Sequence, residues 1–216
     1  MDDRAVESAA EVFDGMGAEY ERAFRDLPGQ LAALDWLTAR LPAGARVLDV
    51  GSGTGRPVAD TLVRAGYEVT GIDVSAAMVE LARAQVPGAR FERRDVRDYR
   101  APDGGFDAVC AFFPLLVMGR AEVGEALRRI TECLLPGGYF VMATVPADIA
   151  DVEIEWMGHR VRVSSYSTAE YLRRLREDCG LEVLYHATST FRPDSDLAEP
   201  EDHLFCYARR TGARSA

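Results

Sequence analysis

The segment Val47-Leu48-Asp49-Val50-Gly51-Ser52-Gly53-Thr54-Gly55 constrains this chain more than any other. A short apolar run of strand-favouring residues ends in three alternating glycines, and the stretch from there to about Ala65 has the pattern of a helix. Glycine permits positive φ and carries no Cβ, so a ligand can lie against bare backbone amides beside the positive end of a helix. A strand, a tight loop and a helix in this order point to an α/β fold with a ligand site at the loop.

Three further motifs specify the ligand. The strand Glu68-Val69-Thr70-Gly71-Ile72-Asp73 ends in an acid roughly twenty residues past the glycines, where a carboxylate can hold a ribose diol. The run Phe91 to Val96 puts another acid, Asp95, after a third strand, and Pro136-Gly137-Gly138 turns the chain into an apolar strand from Tyr139 to Val145. From about Arg46 to Arg210, this order and spacing resemble the class I S-adenosylmethionine-dependent methyltransferases. The resemblance implies S-adenosyl-L-methionine as cofactor and S-adenosyl-L-homocysteine as product. It implies that Asp49, Gly51, Ser52, Gly53 and Gly55 surround the methionine moiety, and that Asp73 with Val74 holds the ribose. Asp95 with Val96 would read the adenine edge, Met78 would pack on the adenine face, and Ala111 and Phe112 would lie near the methyl group. The physics of the loop alone supports a nucleoside-bearing ligand. A nicotinamide or flavin dehydrogenase is the competing nucleotide reading, but G-x-G-x-x-G would need glycine at Arg56, and Asp49 would repel a pyrophosphate.

The implied fold is a Rossmann-like three-layer α/β sandwich. Its seven-stranded, mostly parallel sheet has the order 3-2-1-4-5-7-6 with the last strand antiparallel. The tandem βαβ units fit it, and ligands in such sheets bind at the carboxyl ends of the strands. Residues 1–216 read as a single domain. Helical patterns at Asp3 to Asp26 and Gln30 to Leu41 would form an N-terminal lid, with Tyr20 either reaching the cofactor or packing in the core. Further helices are expected at Ser75 to Gln85, Ala121 to Leu134 and Thr168 to Cys179. Ser75 would cap its helix and Gly180 would end the last one. Between Asp148 and Ser167, alternating residues around Met157-Gly158-His159 predict a β-hairpin at the ligand end of the sheet. Closing strands are expected at Leu181 to Ala187 and His203 to Ala208, with a loop from Arg192 to Asp202 and a disordered tail from Thr211.

The acceptor is less defined. Amine and DNA methyltransferases often carry N/D-P-P-Y/F after strand four, whereas this chain has Ala111-Phe112-Phe113-Pro114. That departure favours an apolar or aromatic pocket contacted by Phe113, Trp156 and Tyr166, although these aromatic residues equally suit a core. Methyl transfer requires mainly positioning, and a hydroxyl acceptor would benefit from a base, for which His159 and His203 are candidates. His186 reads as structural. The net charge of -10 argues against a nucleic-acid substrate. Every one of the 25 basic residues is arginine, which reads as coding bias and not as recognition. Four scattered cysteines lack metal-ligand spacing and suit a reducing cytoplasm. No apolar run reaches membrane-span length, and no metal is required. The expected function is O-methylation of a small apolar or aromatic secondary metabolite. N- or C-methylation, another cofactor-retaining reaction and a non-catalytic binding protein stay open. The oligomeric state is open as well.

Overall fold

A computed structural model describes residues 5–25 and 27–212. Among these, the strands in chain order are β1 (Arg46–Val50), β2 (Glu68–Asp73), β3 (Arg90–Arg93), β4 (Phe106–Phe112), β5 (Leu134–Thr144), β6 (Val152–Trp156), β7 (His159–Val163), β8 (Leu181–Phe191) and β9 (Glu201–Arg210). The helices are α1 (Ala9–Met16), α2 (Ala18–Ala23), α3 (Pro28–Thr38), α4 (Val58–Arg64), α5 (Ala76–Gln85), α6 (Arg120–Glu132) and α7 (Thr168–Glu177). One sheet has the order β3-β2-β1-β4-β5-β9-β8, and β6 pairs with β7 separately. Counting only the main-sheet strands, this is the expected 3-2-1-4-5-7-6 order. β9 runs antiparallel to both of its neighbours.

Alternation along β1 divides the apolar residues between two layers. Val47 packs with Leu34, Leu37 and Leu62 of α3 and α4, whereas Leu48 and Val50 join Leu127 and Ile130 of α6 and Leu175 of α7. The sheet is therefore covered on both faces, and its carboxyl edge is left for a ligand.

Several expected boundaries move for local reasons. The single N-terminal helix is two, because Gly17 at φ 48° breaks it, and residues 1–4 and 26 lie outside the described residues. α1 begins in a capping box, with Ser8 and Glu11 satisfying each other's orphan groups. α3 starts at Pro28, a residue preorganised for the first helical turn. β3 ends at Arg93, so Asp95 follows the strand as expected. Pro136-Gly137-Gly138 lies within β5, at a register shift against β4. β8 and β9 extend beyond the expected strands, so Glu201 and Asp202 belong to β9. The hairpin turn is the two residues Met157 and Gly158, both at positive φ as a twisted two-residue hairpin requires, and His159 pairs with Trp156. Thr211 is held by Gly180 and not loose, while residues 213–216 lie outside the described residues.

Candidate active site

A cleft of about 560 Å³ runs along the carboxyl ends of β1, β2 and β4. This is within the usual range of small-molecule and cofactor sites. The three loop glycines do different work. A Cβ on Gly53 would meet nothing within 4 Å, and its amide donates to Asp73 Oδ2 at 2.9 Å, so its bare backbone borders open cleft. On Gly51 a Cβ would stand 2.6 Å from Pro114 Cβ, so this glycine lets the loop after β4 close against the first loop. A Cβ on Gly55 would meet Val86 and Phe91, so this glycine allows close helix-to-sheet packing.

Asp73 sits at the end of β2, 8% exposed, and accepts from Ser75 N through its other oxygen. Burial raises its pKa, while these backbone donors work against the rise. Both oxygens keep spare lone pairs for a diol. Asp49, Ser52 and Ala111 lie behind the residues that border the cleft. Asp49 shares the Val47 face of β1 and lies beside Cys110, beneath the loop. Its Oδ2 and the Ser52 hydroxyl are buried without a hydrogen-bond partner among the described residues. Burial, then the Asp73 charge, pushes the Asp49 carboxyl up to about 8. An unmet buried carboxyl next to a bare glycine loop suits a cationic ligand group.

Val74, Met78, Asp95, Val96 and Phe112 all border the cleft. Asp95, however, is already engaged: Arg97 clasps both of its oxygens and also reaches Glu122 of α6. That arginine holds the Asp95 pKa below the usual carboxylate value. Arg97 and Glu122 carry no sequence motif, and their pairing appears only when α6 comes to the cleft.

A second chamber of about 130 Å³ shares Ala9, Phe13, Tyr20, Phe113, Pro114 and Val117 with the cleft. Phe113 stands between them at φ 62°, a strained position for an aromatic residue and one that turns it out of the strand path. Phe13, Tyr20, Phe24 and Trp156 form an aromatic cluster, their rings 4.9 to 6.2 Å apart. Tyr20 borders both cavities, and burial together with Glu201 and Asp73 raises its phenol pKa. Tyr166 is not at the chamber: its hydroxyl donates to Arg120 O and its ring lies between Arg120 and Arg174, a packing role. His159 borders neither cavity and instead pairs with Glu7 at 3.0 Å, tying the hairpin to the start of the described chain. His203 does border the chamber, together with Glu201, a residue that no motif singles out. The expected strand began only at His203, and it is the extension of β9 to Glu201 that puts the two residues, two positions apart, on one face.

The N-terminal helices are fastened across this region. Asp14 accepts from Ser75 Oγ at 2.5 Å and from Ala77 N at 3.0 Å, at the start of α5. Among the described residues, no group of three or more His, Cys, Asp or Glu is placed to hold a metal, and no helix is long and apolar enough to cross a membrane.

A family model described as a methyltransferase domain matches residues 47–138. The chain is 33% identical over 183 residues to the 27-O-demethylrifamycin SV methyltransferase of Amycolatopsis mediterranei, covering 79% of this chain and 64% of the relative. It is 32% identical over 177 residues to the dTDP-3-amino-3,6-dideoxy-alpha-D-glucopyranose N,N-dimethyltransferase of Streptomyces fradiae, covering 74% and 65%. The chain spans from about a third to two thirds of the length of such curated relatives. The fold is shared with the Burkholderia thailandensis 1,6-didemethyltoxoflavin-N1-methyltransferase, solved with S-adenosylhomocysteine, at a TM-score of 0.69 and 21% identity, covering 97% of this chain and 93% of that one. The family match begins at the glycine loop and takes in the strand ends that border the cleft, the fold likeness extends over nearly the whole chain, and the chain belongs to the class I S-adenosylmethionine-dependent methyltransferase family.

Proposed function

We propose that this chain binds S-adenosylmethionine in the larger cleft and methylates a hydroxyl of an apolar or aromatic small molecule held in the chamber. The observation that carries the reading is the shared wall: Tyr20, Phe113, Pro114 and Val117 border both cavities, so donor and acceptor would meet side by side. The cofactor supplies an activated methyl group. The protein's part is to orient and to exclude water, and it is worth the most where reacting atoms are held in near-attack geometry.

In this reading Asp73 holds the ribose, Gly53 leaves room for the ligand beside the loop, and Asp49 compensates the cationic methionine end from beneath. Val74, Met78, Val96 and Phe112 form the apolar bed of the adenosine. The α1 and α2 helices act as a lid, and Trp156 of the hairpin contacts the acceptor. The free cysteines fit work in a reducing cytoplasm.

Calorimetric titration with S-adenosylmethionine and S-adenosylhomocysteine, with NAD as control, tests the cofactor assignment. Saturable binding of the sulfur nucleosides alone is expected, and binding of NAD alone would reject it. Turnover on a phenol and alcohol panel ahead of an amine panel then tests the acceptor class. A preference for amines would replace oxygen by nitrogen as the methylated atom.

A further inference from the structure

We infer that His203 accepts the proton of the acceptor hydroxyl and that Glu201 is the positioning residue that sets its tautomer. The inference rests on the chamber being the acceptor site. Glu201 and His203 alternate on β9 and so face the same side, and Glu201 Oε1 lies 2.8 Å from His203 Nε2. An ionised carboxylate has no proton to give, so Nε2 carries the hydrogen and donates it. In the neutral ring, Nδ1 then holds the free lone pair. That atom is buried without a hydrogen-bond partner among the described residues, in a side chain only 1% exposed.

The ring has little freedom to serve elsewhere. Phe113 lies 4.4 Å from it, centroid to centroid, and Phe191 stacks at 5.5 Å. The two serines of the chamber have hydrogen-bond partners of their own. Ser164 Oγ accepts from Asp151 N, and Ser165 Oγ donates to backbone carbonyls. Tyr20, from α2, keeps its proton because its pKa is raised. Asp202 is bonded to Thr190. Among the described residues that border the chamber, the charged or titratable groups besides His203 are Glu201 on its own strand and Tyr20 of α2.

The balance is simple. The hydroxyl oxygen forms its bond to the methyl carbon while the O–H bond breaks and its proton passes to Nδ1. The cofactor sulfur keeps the electron pair of the broken carbon–sulfur bond, and the positive charge ends on an imidazolium beside the Glu201 carboxylate.

The test uses 4-nitrophenol, whose phenol and phenolate forms absorb differently, bound to the S-adenosylhomocysteine complex of the wild type, His203→Gln and Glu201→Gln. We expect the bound phenol to ionise roughly one pH unit lower in the wild type than in His203→Gln. Glu201→Gln should fall between them, with the imidazole nitrogen resonances of His203 losing the single Nε2–H tautomer. Identical phenol titration in the wild type and both variants, with S-adenosylhomocysteine binding intact, would overturn the base role. Failure of the intact complex to bind 4-nitrophenol would overturn it too. Failure of the wild type to bind S-adenosylhomocysteine would instead bring down the cleft assignment beneath it. If His203→Gln does not fold, the Glu201→Gln comparison decides alone.

Discussion

The cofactor cleft and the neighbouring chamber are built by different means. The cleft is assembled from consecutive strand ends, so its glycines and acids fall at intervals that a doubly wound sheet imposes. At the glycine loop its polar contacts are with backbone: Asp73 receives from Gly53 N and Ser75 N. The chamber is drawn from α1, α2, the loops after β4 and β5, the hairpin and β9, and its walls are mostly apolar side chains, aliphatic as well as aromatic. One site is written in backbone geometry and the other in tertiary packing. The first should therefore fail by local steric or charge changes, and the second should tolerate them while changing what it holds.

The sharpest way to break the cleft is Gly51→Val. A β-branched residue at φ 66° against Pro114 should cost roughly 2 to 5 kcal/mol, read as a lowered urea midpoint. Next in size is Asp73→Ala, which should lose about 1 to 3 kcal/mol of S-adenosylhomocysteine affinity by calorimetry while 4-nitrophenol still enters the chamber. Unchanged cofactor affinity would remove Asp73 from the site.

Asp49 separates stability from binding. With its folded pKa pushed up to about 8, the native state holds this proton more tightly than the unfolded chain does. Its contribution is thus most favourable below about pH 4, the ordinary carboxylate range, and declines as pH rises toward the folded value. Asp49→Asn should accordingly gain in melting temperature over the wild type progressively across that window. Binding should show the opposite benefit: ionising Asp49 for the cationic amino group releases a proton, so wild-type affinity rises with pH up to about 8 while that of Asp49→Asn stays flatter. A flat wild-type profile would deny the coupling. The smallest effect is that of His159→Gln. Its pair with Glu7 is partly exposed, so about 0.2 to 1 kcal/mol of stability is expected to go, with turnover retained. Loss of turnover with the fold intact would return His159 to the chemistry.

Much of the cleft was legible from residue order. Asp73, Asp95 and Gly53 border the cleft from strand ends and the loops after them, because a parallel sheet delivers successive loops to one edge, whereas the places of Met78 and Val96 were implied by the family resemblance. Asp49 and Gly55 show the limit of that reading: they belong to the motif, yet their side of the strand or loop faces packed core. The aromatic residues were legible as residues but not as sites. Trp156 reached the chamber and Tyr166, from the same excursion, went between two arginines.

By itself the sequence determined the strands and helices and the nucleoside-type loop, because hydrophobic period, glycine spacing and strand-end acids act over short distances along the chain, while the order of the strands came from the family resemblance. Only tertiary structure decided which histidine meets the chamber. His159 is held by Glu7, 152 positions away, while His203 is buried against Phe113 and Phe191 with Glu201 at its side. The physical reason is that a side chain's chemistry depends on its neighbours' charge and its access to solvent, and packing sets both.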